Sequence, residues 1–329
     1  MRASIIVACA LLAVVLTAEP AWAWGPAVHV FVGTEILGAL SLLPAGFAAL
    51  LRRYPYDFLY GCVAADITFG KKYAPVGRHC HNWSVGEELF QTAGSGATRA
   101  CALGYLAHLA ADTTAHNFFL PRRLLTSAST QSIGHSYWEH RMDMHLGEPY
   151  IRGARELVFE YDHSHNDALF DRVLDRTVFS FQTNRRIFRG MIRLAGNDTW
   201  QAVFDRMIDL SRWDIEESEV EVWMSRTFDY TVDYLIRGRR SVAARLDPTG
   251  VGNLATARRL RREMRPGRPV SELDLAARSH FAPPSERPRW WPHRERAAGI
   301  ELPLIGSGLP PELKVHGESA NATVEAGYA

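Results

Sequence analysis

The chain has 329 residues, 47% of them hydrophobic and 22% charged. That balance excludes a wholly disordered, collagen-like or coiled-coil protein and supplies enough apolar side chain for a sizeable core. A formal net charge of +1 provides no overall field to draw in nucleic acid or anionic membranes, and four cysteines are too few for a disulfide framework.

In chain order, the first element is an apolar run from Ile5 to Leu16 behind Arg2, followed by Ala21-Trp22-Ala23. A basic start, a short apolar stretch and A-x-A spacing mark a secretory signal peptide. Residues 1–23 are therefore predicted to be removed on export to a periplasm or beyond the cell, which makes Trp24 the first residue. The run is shorter than a membrane-spanning helix needs. A lipoprotein signal at Cys9 is the weaker reading, because so few residues precede it. The exported chain keeps Cys62, Cys80 and Cys101, an odd set that allows one disulfide of unspecified pairing and one free thiol.

Apolar residues then recur at helical spacing over 34–52, where Pro44 divides the run into two helices, and over 97–119, 134–147, 151–161, 166–175, 185–195 and 199–237. Strand-like alternation is scarce. The fold expected for 24–245 is all-α, a compact bundle of about eight to ten helices. Beyond Arg245 the chain turns to arginine and proline, and residues 246–329 are expected to form a mostly disordered tail. Within it, Arg258-Arg259-Leu260-Arg261-Arg262 reads as a short solvated helix, or as a cluster that touches phosphates or anionic lipid heads.

The histidines carry the chemistry. His108, Asp112 and His116 recur every four residues, and at about 100° per residue they share a sector of about 80° on one helix face. Their neighbours are small or apolar, which places that face in a core. A carboxylate buried among imidazoles is costly unless its charge is compensated, and a metal ion would compensate it. His135 and Glu139 repeat the spacing on a second helix; Asp66, the cluster His79-Cys80-His81 and His29 come earlier in the chain. Mixed imidazole and carboxylate donors suit zinc, and also manganese or iron.

This arrangement resembles the zinc-dependent phospholipase C superfamily, which includes bacterial phospholipases C, S1/P1-type nucleases and the N-terminal domain of glycosylphosphatidylinositol-specific phospholipase D. The resemblance covers roughly residues 24–240. In that family an N-terminal tryptophan chelates zinc through its α-amine and carbonyl, a role matched here by Trp24 in Trp24-Gly25, with His29 following. The resemblance implies up to three zinc ions. Asp66, His81, His108 and Asp112 would hold the first. Asp112, bridging, would hold the second with the Trp24 terminus and His29, and His116, His135 and Glu139 would hold the third. His79 is the fallback for His81, and His140 with Asp143 the alternative to His135 with Glu139.

Two departures are visible. Bacterial members place five residues, usually including a proline, where this chain has only Thr113, Thr114 and Ala115; this shorter spacing is similar to the phospholipase D branch and keeps the helix unbroken through His116. The positions matching the bacterial choline pocket read Ala27, Ile67 and Arg78, without the aromatic faces and negative charge that hold a quaternary ammonium.

The activity implied is a zinc-dependent phosphodiesterase, foremost a phospholipase C that attacks phosphorus with water, with Asp66 orienting or deprotonating that water; D-type cleavage stays open. The substrate would be a phospholipid or another phosphodiester, met in transient contact with a membrane surface by a monomer with no stable nucleic-acid partner. The rival readings are an S1/P1-like nuclease, with Trp83, Tyr137 and Trp138 as stacking platforms, and a non-catalytic, metal-stabilised lipid-binding protein.

Overall fold

The structure, a computed structural model, describes residues 24–68, 78–127, 132–174, 180–195, 211, 213–264, 268–284 and 289–291. The signal-peptide reading, residues 199–210 of the last expected helix and the end of the tail lie outside the described residues. Among the described residues there is no strand. The helices are α1 (Pro26–Gly38), α2 (Ala45–Arg53), α3 (Pro55–Ala64), α4 (Trp83–Thr92), α5 (Gly96–Thr114), α6 (Leu120–Thr126), α7 (Ser132–Leu146), α8 (Glu148–Glu160), α9 (Ser164–Val173), α10 (Phe181–Ala195), α11 (Glu217–Arg237), α12 (Val251–Met264) and α13 (Val270–His280). They exceed the eight to ten expected. None is long and apolar enough to cross a membrane.

Helix α5 is the axis of the fold. Its start is fixed by a reciprocal cap in which Ser95 Oγ accepts from the Thr98 amide at 3.2 Å and Thr98 Oγ1 accepts from the Ser95 amide at 3.0 Å. From Ala100 to Thr114 every residue is buried, because α3, α4 and α11 cover it on all sides. The closest approach is to α3. A Cβ on Gly61 would lie 1.9 Å from the Cys101 carbonyl oxygen, and one on Gly104 would lie 1.9 Å from that of Phe58. Only glycine permits this crossing, and it brings the C-terminal end of α3, with Asp66 just beyond, against His108. Gly104→Ala is expected to destabilise the fold by about 3 kcal/mol, because the atom met is backbone and cannot rotate away. A thermal melt should show a fall in Tm of roughly 6–12 °C.

The helix does not run unbroken through His116 as expected. Residues Ala115–Phe119 form a wider π turn before α6 begins. The cause lies downstream: Pro121 has no amide proton and its ring crowds the carbonyl four residues back, that of Asn117. That carbonyl instead accepts from Asn253 Nδ2 at 3.2 Å, and Asn117 Nδ2 donates to the Thr113 carbonyl at 2.9 Å.

After residue 245 the described residues include two further helices. Helices α12 and α13 pack on α6 through Leu125, Ala257, Leu260, Leu273, Ala277 and Phe281. The arginine cluster lies on α12, with Arg259 and Arg262 exposed as a solvated helix has them, whereas Arg261 is only 3% exposed and donates to the Leu124 carbonyl at 3.0 Å. Farther on, the amides of Trp290 and Trp291 both donate to Asp229 Oδ1 at 2.7 Å.

Candidate metal centre

Four elements deliver the candidate ligands. Trp24 precedes α1 and His29 lies on it; Asp66 sits in the 3₁₀ turn Ala65–Ile67 that ends α3; His81 lies in the turn before α4; His108 and Asp112 are on α5. All are at most 2% exposed. The His81 turn is tied to α5 by the Tyr105 hydroxyl, which donates to the Cys80 carbonyl at 2.5 Å, and Asn82 caps α4 by accepting from the Ser84 amide at 3.1 Å.

Asp112 is the centre. Its Oδ1 lies 3.3 Å from His29 Nε2, and its Oδ2 lies 3.1 Å from His81 Nε2 and 3.2 Å from His108 Nε2. Asp66 Oδ1 is 3.3 Å from His81 Nε2 and Asp66 Oδ2 is 4.0 Å from His108 Nε2. Two groups of donors, His29 with Asp66 and His108, and His81 with His108 and Asp112, each lie within 4.8 Å of one another. His79 and Cys80 form a further such group with His81, but it is His81 that faces Asp112; His79 Nδ1 accepts from the His81 amide at 3.1 Å.

The donor set fits a divalent cation. Neither oxygen of Asp112 nor Nε2 of His29 has a hydrogen-bond partner, although both residues are buried. An orphaned carboxylate in a dry site is expensive, and a cation among the imidazoles removes the expense. His108 Nδ1 lies 2.7 Å from the Cys62 carbonyl, which can only accept, so the ring proton sits on Nδ1 and the Nε2 lone pair faces the cluster. Burial alone would raise the Asp112 pKa, but the charge of His108 and the contacts of His108, His29 and His81 outweigh it and hold this carboxyl well below the ordinary range. Burial, together with His108, lowers that of His29. An ionised Asp112 beside a neutral His29 is the protonation state that a metal site needs.

A second group lies one turn along. His135 Nε2 is 2.9 Å from Glu139 Oε1, and the His116 and His135 rings are 5.3 Å apart. His116 Nδ1 lies 2.6 Å from the Pro248 carbonyl, which fixes its proton in the same way. The alternative pair of His140 and Asp143 is not what the structure sets before His116. Asp143 instead caps α1, accepting from the amides of Ala27 at 3.3 Å and Val28 at 3.0 Å. Gly25 lets this carboxylate come close, since a Cβ there would lie 2.1 Å from Asp143 Oδ2 and would displace the cap. The Trp24 indole is fully buried and donates to the Ala111 carbonyl at 3.1 Å and Thr114 Oγ1 at 3.3 Å, next to Asp112 on α5.

The sequence model of the family described as zinc dependent phospholipase C matches residues 28–187, a stretch that contains every candidate ligand except Trp24. Residues 28–187 form a domain of the zinc-dependent phospholipase C family. No curated protein and no solved structure gives a match. The all-α architecture and the clustered histidines and aspartates agree with that membership. Family membership and the donor set make zinc the metal that these residues suit.

Other expectations are corrected around the site. Cys62, Cys80 and Cys101 are all buried and no two of them form a disulfide, and burial pushes the Cys62 and Cys101 thiols up. Of the three stacking candidates, Trp138 is 1% exposed and Trp83 7%; Trp83 stacks on Tyr234 with ring centres 4.3 Å apart. Tyr137 is half-buried and donates to Ser211 Oγ at 2.8 Å. Neither Trp83 nor Trp138 presents an open face for a nucleobase. At the choline-pocket positions, Ala27 and Ile67 are buried and Arg78 pairs with Glu88 and donates to the Val173 carbonyl at 3.0 Å.

The buried imidazoles have a consequence for pH. Burial, with His135 and His81 nearby, pushes His116 down to about 4 against the pull of Asp112. In the unfolded chain His116 takes its proton near 6.5, whereas in the metal-free fold it resists until about pH 4. Its contribution is therefore complete above pH 6.5 and is lost as the pH falls from 6.5 towards 4, by about 3 kcal/mol at 1.36 kcal/mol per pKa unit. Asp143, raised to about 7 by burial, acts in the opposite direction. The clean readout is thus a difference: urea unfolding of metal-free parent and His116→Gln proteins should show the parent losing about 3 kcal/mol relative to the variant between pH 7 and 4.

Proposed function

We propose that the chain is an exported zinc-dependent phospholipase of the C type, periplasmic or secreted, which releases diacylglycerol and a phosphorylated head group. The observation that carries this reading is Asp112, a fully buried carboxylate ringed by His29, His81 and His108 with no hydrogen-bond partner, inside a domain of this family. Asp66, His81 and His108 would hold one ion and His29 with the Trp24 terminus a second, Asp112 bridging the two, while His116, His135 and Glu139 would hold the third. Bound zinc supplies Lewis-acid polarisation of the phosphodiester and lowers the pKa of water towards neutrality. Asp66 accepts a proton from the attacking water on its carboxylate, at the rim of the cluster beside His81 and His108. The Cys62 and Pro248 carbonyls keep the protons of His108 and His116 on Nδ1, and the buried wall of α5 excludes bulk solvent.

The test is mass spectrometry of products after the protein starting at Trp24 is incubated with zinc and mixed phospholipids, with a chelator control. Chelator-sensitive diacylglycerol is expected. Phosphatidic acid in its place would reassign the reaction to D-type cleavage, and nucleotide release from nucleic acid with no lipid product would overturn the lipid assignment.

A further inference from the structure

The chain that follows α11 meets the metal centre twice, although it lies well beyond the residues matched by the family. At one end the Trp83 indole, two residues after His81, donates to the Leu246 carbonyl at 2.9 Å. At the other, Asn253 Nδ2 donates to the Asn117 carbonyl at 3.2 Å and to Asn117 Oδ1 at 3.1 Å, one residue after His116. Asn117 Nδ2 returns a bond to the Asp247 carbonyl at 2.8 Å. Between these anchors runs Asp247-Pro248-Thr249-Gly250, with aspartate, proline and glycine where a tight turn wants them. The turn closes through the Gly250 amide to the Asp247 carbonyl at 3.0 Å, and Asp247 braces it by accepting from the Thr249 amide at 2.9 Å and hydroxyl at 2.6 Å.

We propose that residues 246–253 are a positioning strap for the third zinc site, in which the Pro248 carbonyl and Gly250 set the ring of His116. This rests on the three-zinc reading above. The Pro248 carbonyl, 2.6 Å from His116 Nδ1, holds the ring proton there and leaves the Nε2 lone pair for a metal. Gly250 makes the contact sterically feasible: its φ is +56°, and a Cβ on it would lie 2.4 Å from the His116 carbonyl oxygen and 2.5 Å from the His116 Cβ. The π turn at Ala115–Phe119 explains why a strap is required. A regular helix would orient His116 by its own register, whereas the turn that Pro121 imposes leaves the Asn117 carbonyl to be satisfied from outside, and Asn253 does so. Gly250 and Asn253 are therefore positioning residues for a ligand on a segment more than a hundred residues away.

The experiment is a zinc titration of the full chain from Trp24 against a competing chelator, with bound metal counted by mass spectrometry and helicity followed by circular dichroism. Gly250→Ala should lower the affinity for the third ion by about 10–100-fold and leave the first two unchanged, as loss of a metal site's supporting contacts does elsewhere. Asn253→Ala should shift the same ion in the same direction, and it carries the decision if Gly250→Ala does not fold. Leu273→Ala, which loosens α13 without touching the strap, should leave all three affinities as they are. Folded Gly250→Ala and Asn253→Ala proteins that keep the third ion at parental affinity would overturn the strap while leaving the three-zinc reading in place. A parent protein that binds no more than two ions would overturn both.

Discussion

Asp112→Asn should remove two zinc ions at once and lower phosphodiesterase activity by more than about 100-fold, since a primary ligand outweighs the outer contacts whose loss already costs 10–100-fold. The geometry accounts for the size of the effect. His29 approaches one oxygen of Asp112 while His81 and His108 approach the other, so a single carboxylate faces both halves of the cluster. Asparagine keeps the volume but offers one oxygen and no charge. His116→Ala, in contrast, should cost no more than one ion. Thermal stability gives a second readout. Zinc at about 100 times its Kd stabilises a fold by about 2.7 kcal/mol per site, so chelator should lower the Tm of the parent far more than that of the Asp112→Asn protein. A variant that retains all its zinc and most of its activity would contradict the bridge.

The second large effect concerns the start of the chain. A protein beginning Met-Trp24, or one that retains residues 1–23, should lose one zinc ion and more than about tenfold in activity compared with one beginning at Trp24. The Trp24 indole is held by Ala111 and Thr114 whatever precedes it, and Asp143 caps the helix that follows, so an added residue leaves this anchorage in place and removes only the free α-amine. That amine has an ordinary pKa of about 8, so its ion should also bind more weakly as the pH falls below 8. Metal counting on both proteins across that range checks the prediction. Equal zinc and equal activity in the two would remove Trp24 from the site.

The sequence was most legible where local spacing and tertiary structure agree. His108 and Asp112 sit four apart on a helix buried all round, and that buried face was readable from the alanines and leucines between them. His29, Asp66 and His81 were recognisable only through the family resemblance, because no local period links three residues on different elements; what joins them is the α3–α5 crossing at Gly61 and Gly104. Pro121 was in plain view, yet its effect on His116 acts backwards across a helical turn and depends on Asn253, far away in sequence. The carbonyls of Cys62 and Pro248 have no side-chain signature at all. Of α12 only the short stretch 258–262 reads as a helix in the sequence, and α13 was missed, because their inner faces rely on Ala257, Ala277 and the stem of Arg261 as well as on leucine, a stripe too weak to stand out among arginines and prolines.

The most direct measurement is anomalous diffraction at the zinc edge from crystals of the protein starting at Trp24, grown with zinc. Two peaks flanking Asp112 are expected, one among Asp66, His81 and His108 and one beside His29 and the Trp24 terminus, with a third among His116, His135 and Glu139. Fully formed crystals with no zinc peak at Asp112 would contradict this assignment.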